Sequence, residues 1–197
     1  MEKTVLKPFL QGHLDRYCGV YCVVNIVHYL RGPLSKKHSS QLFYTTMKAL
    51  DRKLDVVERI NSGTYLRELG ELLDQTLVIY QIHHRRPFLR NKDVSLDLYW
   101  FTLEKFISTR KGIVLIGING LHNHWTLVKE VTSTSLLLFD SDGIKRLSRR
   151  QCSITRERLS HRRHLLIPTR TYFIWADEQS ESVVEVSCAK SIQSKQD

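Results

Sequence analysis

The sequence predicts an α+β protein in which an N-terminal helical half packs on a C-terminal antiparallel sheet. Three observations carry this expectation. Apolar residues recur at helical spacing in several segments between residues 18 and 110, short aliphatic runs bounded by turn residues dominate the remainder, and helices thus precede strands along the chain. With 197 residues, 42% of them apolar and 25% charged, the chain can bury one core, and its composition excludes a disordered polymer, a repeat array or a collagen-like fibre. We expect one domain over 1–176 and a polar, flexible tail over 177–197.

Residues 1–17 carry no clear period; Pro8 and Gly12 are breakers, and a short strand is expected near Val5. From Cys18 the pattern is helical, with Val20, Val23, Val24, Val27 and Leu30 on an apolar face and Gly32-Pro33 as the stop. A second helix is expected over about 40–54. A third opens at Thr64, a fitting N-cap, with Leu66, Leu69, Leu72 and Leu73 at helical spacing. Residues 77–82 read as a strand broken by His84-Arg85-Arg86-Pro87, and 97–110 as an aromatic-rich helix. Strands follow at 113–118, 124–131, 135–139 and 170–175, the second and third joined by a Thr-Ser-Thr turn.

No apolar run approaches the roughly 18–20 residues of a membrane span, and the N-terminus lacks the apolar stretch of a secretory signal, so a cytoplasmic, reducing setting is expected. The four cysteines, at 18, 22, 152 and 188, then stay as thiols. The net charge is +10, and +7 of it falls within 145–163, where Lys145, Arg146, Arg149, Arg150, Arg156, Arg158, Arg162 and Arg163 are opposed by Glu157 alone. That tract reads either as a solvated face or as a docking surface for an acidic protein or nucleic acid; it lacks the interleaved aromatics that stack on bases.

Cys18 stands at the start of the first helix, where unpaired N–H groups and the helix dipole favour a thiolate. Alone it would pass for a small buried residue. The hairpin after His124 supplies a second observation. If its turn is centred near residue 132, His124 faces Asp140 directly; centring on Ser133 puts Asp142 opposite His124 and makes Asp140 a diagonal neighbour on the same face. His122 with Asp142 is the internal competitor. A nucleophilic thiol, a base and a group that orients the base are the three roles covalent acyl transfer requires, and Cys18, His124 and Asp140 supply those residue types. Gln11, otherwise a plain loop residue, could donate its side-chain amide to an oxyanion beside the Cys18 backbone N–H.

Gln11-x6-Cys18-Gly19 before an apolar helix, Gly63-Thr64-x-Leu66-x-x-Leu69, His124-Trp125 opening a strand, and Phe139-Asp140 ending the next resemble papain-like cysteine peptidases, most of all the bacterial bacteriocin-processing domains that cleave after double-glycine leaders. The resemblance spans roughly 8–147. It implies Cys18 as nucleophile, His124 as general base and acid, Asp140 as orienting residue and Gln11 as oxyanion donor. The chain departs from that pattern at Tyr17, where those peptidases often carry Asp.

The expected activity is therefore hydrolysis of a peptide or isopeptide bond in a protein or peptide substrate, with no metal or organic cofactor. Acyl transfer by the same triad, and a catalytically silent papain-like module binding a protein or nucleic acid through the basic tract, are the alternatives. A regulatory partner subunit would suit a standalone peptidase. Cys22, one turn beyond Cys18, reads as a packing residue rather than a resolving thiol or a zinc ligand with Cys18, His122 and His124. His28 reads as a core histidine, and His83-His84-Arg85-Arg86 as a solvated strand end.

Overall fold

The computed structural model describes residues 6–12, 15–51, 63–91, 93–121, 123–156 and 163–177. Among these, the helices are α1 (Cys18–Arg31), α2 (Lys36–Asp51), α3 (Leu66–Leu77) and α4 (Leu96–Arg110). The strands are β1 (Ile82–Arg85), β2 (Ile113–Gly120), β3 (His124–Val131), β4 (Ser135–Leu138), β5 (Arg146–Ser148), β6 (Cys152–Ser153) and β7 (His164–Ala176). The strands form one sheet in the order β1-β7-β2-β3-β4-β5, antiparallel throughout, with β6 added in parallel beside the start of β7.

The sheet is covered on both faces. One face packs against α1, α2 and α3, where Val20, Val23, Ile26, Leu50, Leu69 and Leu73 meet Leu115, Leu127, Tyr172 and Ile174. The other packs against α4, where Tyr99, Trp100, Leu103 and Phe106 meet Val114, Ile116, Val128 and Phe173. Burial on both faces is why β2 reads as a continuous apolar run instead of an alternating one. Helix α1 is buried without a break from Cys18 to Val20 and from Cys22 to His28, as expected for the helix at the centre of its layer.

Several sequence expectations change. The apolar run 77–82 is not a strand: Leu77 is the last buried position of α3, and Val78–Tyr80 make a 3-10 turn whose Val78 and Ile79 face solvent. The strand begins at Ile82 and uses His83, His84 and Arg85, which pair with Trp175, Ile174 and Phe173. Partnering by β7 overrides the polar character of that segment. Tyr65, not Thr64, caps α3, and its backbone N–H donates to Glu68 at 2.9 Å. Helix α2 starts at Lys36, and the part of the expected second helix beyond Asp51 lies outside the described residues. Strand β7 is twice as long as its apolar stretch suggested, because Pro168 and Thr169 lie inside it at an irregularity. Strands β5 and β6 were hidden by the charges of the basic tract.

The segment near Val5, His122, Cys188 and nearly all of the expected tail lie outside the described residues; Asp177 accepts a 2.8 Å bond from the His83 ring. No helix among the described residues is long and apolar enough to cross a membrane.

Candidate active site

Cys18 is the first residue of α1 and is buried, at 7% exposure. Gly19 lets this helix end approach the 63–65 loop: a Cβ there would lie 2.8 Å from Thr64 Cβ and 2.9 Å from its Oγ1. Thr64 in turn offers its carbonyl to the Trp125 indole N–H at 2.8 Å, so helix, loop and β3 are tied together at the thiol.

The segment preceding α1 is held by side chains of α1 itself. Asn25 clamps Phe9, accepting from its N–H at 2.8 Å and donating to its carbonyl at 3.0 Å. Both ring nitrogens of His28 are used, one accepting from Leu34 N–H at 3.0 Å and the other donating to Lys7 carbonyl at 3.1 Å. Burial holds its pKa below the usual histidine value, so the ring works as a neutral bracket. Asp15 braces the turn into the helix by accepting from Gly12 and Tyr17 N–H groups at 2.9 and 3.1 Å. Gln11 is thereby delivered to the turn after β4: its N–H donates to Ser141 carbonyl at 2.8 Å, and its side-chain oxygen accepts from the Ser141 hydroxyl at 3.4 Å. The NH2 of Gln11 is the end left to donate.

The hairpin settles in the second of the two expected registers near the site. Val128 faces Leu138, and Phe139 N–H donates to Leu127 carbonyl at 2.8 Å, so Asp140 is diagonal to His124 rather than opposite it. A bulge between Val128 and Glu130 shifts the pairing toward the turn. The diagonal is short enough. His124 Nε2 lies 2.7 Å from Asp140 Oδ2, with both side chains buried. The other Asp140 oxygen accepts from the backbone N–H groups of Asp142 and Ile144 at 2.9 and 3.0 Å, which fixes the carboxylate from a tight turn. Asp142 itself is exposed.

With Nε2 bound to Asp140, the His124 side chain also hydrogen-bonds the Cys18 thiol. Burial opposes a charged ring here, but the hydrogen bonds to Asp140 and Cys18 and the charges on both outweigh it and push the His124 pKa up to about 10. For Asp140 burial likewise opposes the charge, and the His124 hydrogen bond and charge overcome it, holding its carboxyl below the usual range. The Cys18 sulfur also accepts from the Trp125 backbone N–H at 3.5 Å. Cys22 donates to the carbonyl of the same Trp125 at 3.3 Å, and burial pushes its thiol pKa well up. Trp125 is thus bracketed by the two cysteines, a role no sequence pattern announced. Ser141, the partner of Gln11, was missed as well; its place directly after Asp140 was the available signal.

The remaining candidates fall elsewhere. Lys145, Arg146, Arg150, Arg156 and Arg163 are exposed, and Arg158 and Arg162 lie outside the described residues. Arg149 is spent within the fold: it pairs with Asp97 at 2.6 Å and lies over the Trp100 ring at 5.2 Å. Arg163 carbonyl accepts from Leu121 N–H at 2.9 Å, which brings the basic tract beside the loop that leads into His124. Among the described residues no group of three or more His, Cys, Asp or Glu side chains is placed to hold a metal ion.

No family model and no curated protein matches the sequence. Among solved structures, the chain is similar to the peptidase domain of Streptococcus ComA, a bi-functional ABC transporter involved in a quorum sensing pathway, with a TM-score of 0.50 and 15% identity over 87% of this chain and 99% of that one. The likeness is one of fold: the four helices and the antiparallel sheet of the described residues fit the fold of that papain-like peptidase domain.

Proposed function

We propose that the protein is a cysteine peptidase that hydrolyses a peptide or isopeptide bond. The observation that carries this reading is the buried chain of contacts Cys18–His124–Asp140, a thiol on a helix N-terminus next to an imidazole whose far nitrogen is bound to a carboxylate. The proton shared by thiol and ring rests on His124, and the sulfur attacks the substrate carbonyl carbon. The carbonyl π pair moves to oxygen, where the Gln11 NH2 and the Cys18 backbone N–H receive it. Collapse breaks the C–N bond as His124 gives its proton to the leaving amine. Acylation removes the Cys18 charge that helped raise the ring's pKa, so His124 becomes a better acid at this step and a usable base for the next. It then takes a proton from water, the hydroxide attacks the thioester, and the carboxylic acid leaves with the thiol restored.

The exposed Lys145, Arg146, Arg150, Arg156 and Arg163 would serve to recruit an acidic substrate or partner protein toward this site. The test of the main reading is turnover of a peptide library followed by mass spectrometry, with Cys18→Ala as control. New termini that vanish in Cys18→Ala support hydrolysis; full turnover by Cys18→Ala defeats it.

A further inference from the structure

Between His124 and Val128 on β3 stands Thr126, a hydroxyl in the most enclosed part of the strand. Its exposure is 0%, and its neighbour on β2 is Ile116. Among the described residues its Oγ1 makes no hydrogen bond of full geometry. A buried hydroxyl left in that condition carries a desolvation cost that a valine of nearly the same shape would avoid. Packing alone does not call for threonine here.

The register of the hairpin decides what that hydroxyl faces. Val128 faces Leu138, and the Phe139 N–H donates to the Leu127 carbonyl at 2.8 Å. One further step along the same pairing sets Thr126 directly opposite Asp140, in a pair of the kind without mutual backbone bonds, where facing side chains come closest. Their Cβ atoms are then about 4.5–5.5 Å apart, within reach of one hydroxyl and one carboxylate. His124, two residues earlier, is the diagonal neighbour. The Asp140 carboxyl responds to this hydroxyl: burial works to raise its pKa, and the His124 hydrogen bond and charge, then the Thr126 hydroxyl and the Ile144 N–H, bring it down. Bonds of a resting catalytic site are often slack and tighten during the reaction.

An ionised carboxylate offers about four acceptor positions, roughly two on each oxygen. At Asp140 both positions on Oδ1 are taken by the N–H groups of Asp142 and Ile144 at 2.9 and 3.0 Å, and one on Oδ2 is taken by His124 Nε2 at 2.7 Å. Among the described residues one position on Oδ2 is left, and the buried donor that lacks a partner stands across the ladder from it. We infer that Thr126 is a positioning residue of the triad, whose hydroxyl donates to Asp140 Oδ2 beside His124 Nε2 and fixes the plane of the carboxylate. Held at both oxygens, the carboxylate cannot turn about its Cβ–Cγ bond away from the ring, and it stays ionised to lower pH. The other titratable groups that bear on Asp140 are His124 on β3 and the Cys22 thiol on α1. The role in catalysis rests on the peptidase reading above.

Thr126→Val keeps the shape and removes the donor, while Thr126→Ser keeps the donor. The first measurement is the rate of Cys18 alkylation by iodoacetamide between pH 3 and 8, located by mass spectrometry. In Thr126→Val the acid limb should move up by about one pH unit, the scale of one hydrogen bond to a charged group, so that the rate on that limb falls about tenfold. Thr126→Ser should restore the native limb. In an Asp140→Asn background Thr126→Val should shift nothing, because the charge it acts on is gone. A folded Thr126→Val with the native limb, or a shift that persists in Asp140→Asn, overturns the inference. Urea midpoints test the same bond without thiol chemistry. The lowered Asp140 pKa contributes stability that is present above the usual carboxylate value and lost as pH falls through the folded one, so the deficit of Thr126→Val should be present at pH 7 and narrow toward pH 3. An equal deficit at both overturns the inference. If the native protein cleaves no peptide while the midpoints behave as expected, the peptidase reading falls and the Thr126–Asp140 bond stands. Should Thr126→Val fail to fold, Thr126→Ala removes the same donor and is read against the same Thr126→Ser control.

Discussion

His124 Nε2 and Asp140 Oδ2 lie 2.7 Å apart at a place where neither side chain has more than 6% of its surface exposed. The bond spends the far nitrogen of the ring and leaves the near one for Cys18. It also raises the ring's pKa, so removing the carboxylate should change both the orientation and the charge of His124. Asp140→Asn is expected to lower peptide turnover by about 10²–10⁴-fold. It should also slow iodoacetamide alkylation of Cys18 at pH 7 and move the alkaline limb of the rate profile from near pH 10 toward the ordinary histidine range. A pH–rate series on the native protein and on Asp140→Asn checks this; an unmoved alkaline limb would contradict it.

The same shifts set a stability profile. His124 has a folded pKa raised from 6.5 to about 10, so its contribution is complete below about pH 6.5 and is lost as pH rises through 10. Asp140 has a lowered folded pKa, so its contribution is present above the usual carboxylate value and is lost as pH falls below it. Stability from the pair is therefore greatest in the interval between. Urea midpoints measured from pH 4 to 10 should decline above neutrality in the native protein, and the decline should flatten in His124→Phe.

Gln11 is held beside the turn that carries Asp140, because Asn25 holds Phe9 by two bonds and Ser141 holds Gln11 by two more. Gln11→Ala should cost about 10²–10³-fold in kcat, in line with the loss of one oxyanion donor, with KM little changed. Asn25→Ala, which touches neither thiol nor imidazole, should lower kcat in the same direction and also lower stability by about 1–3 kcal/mol, because it leaves the Phe9 backbone groups unpaired. Kinetics on Gln11→Ala and denaturation of Asn25→Ala separate the chemical role from the structural one.

The sequence made the helices legible where an apolar face had a clear period and a stop, as in α1 with its Gly32-Pro33 end. It failed where tertiary pairing overrode local character: His83-His84-Arg85 became an edge strand because β7 was there to pair with it, and Arg146–Ser148 became β5 against β4 in spite of its charge. The meeting of His124 with Asp140 was legible because the two share a hairpin, whose register can be enumerated. The enumeration left two registers, and only the packing of Phe139 against α1 and the turn at Asp140 select between them.

Cys18 and Cys22 are both buried and lie one turn apart, yet their surroundings differ in a way alkylation can read. Cys18 faces His124, while Cys22 is 2% exposed, donates to the Trp125 carbonyl at 3.3 Å, and has its pKa driven well up by burial first and by the neighbouring Cys18 and Asp140 charges after that. Brief treatment with iodoacetamide at pH 7.5 should therefore modify Cys18 and leave Cys22 untouched, as located by peptide mapping. Cys22→Ala should retain turnover while costing about 1 kcal/mol or more in stability, since it removes a packed sulfur and one weak bond. Modification of Cys22 ahead of Cys18, or loss of turnover in a folded Cys22→Ala variant, would mean that the second thiol takes part in the chemistry and that the division of labour between the two is misassigned.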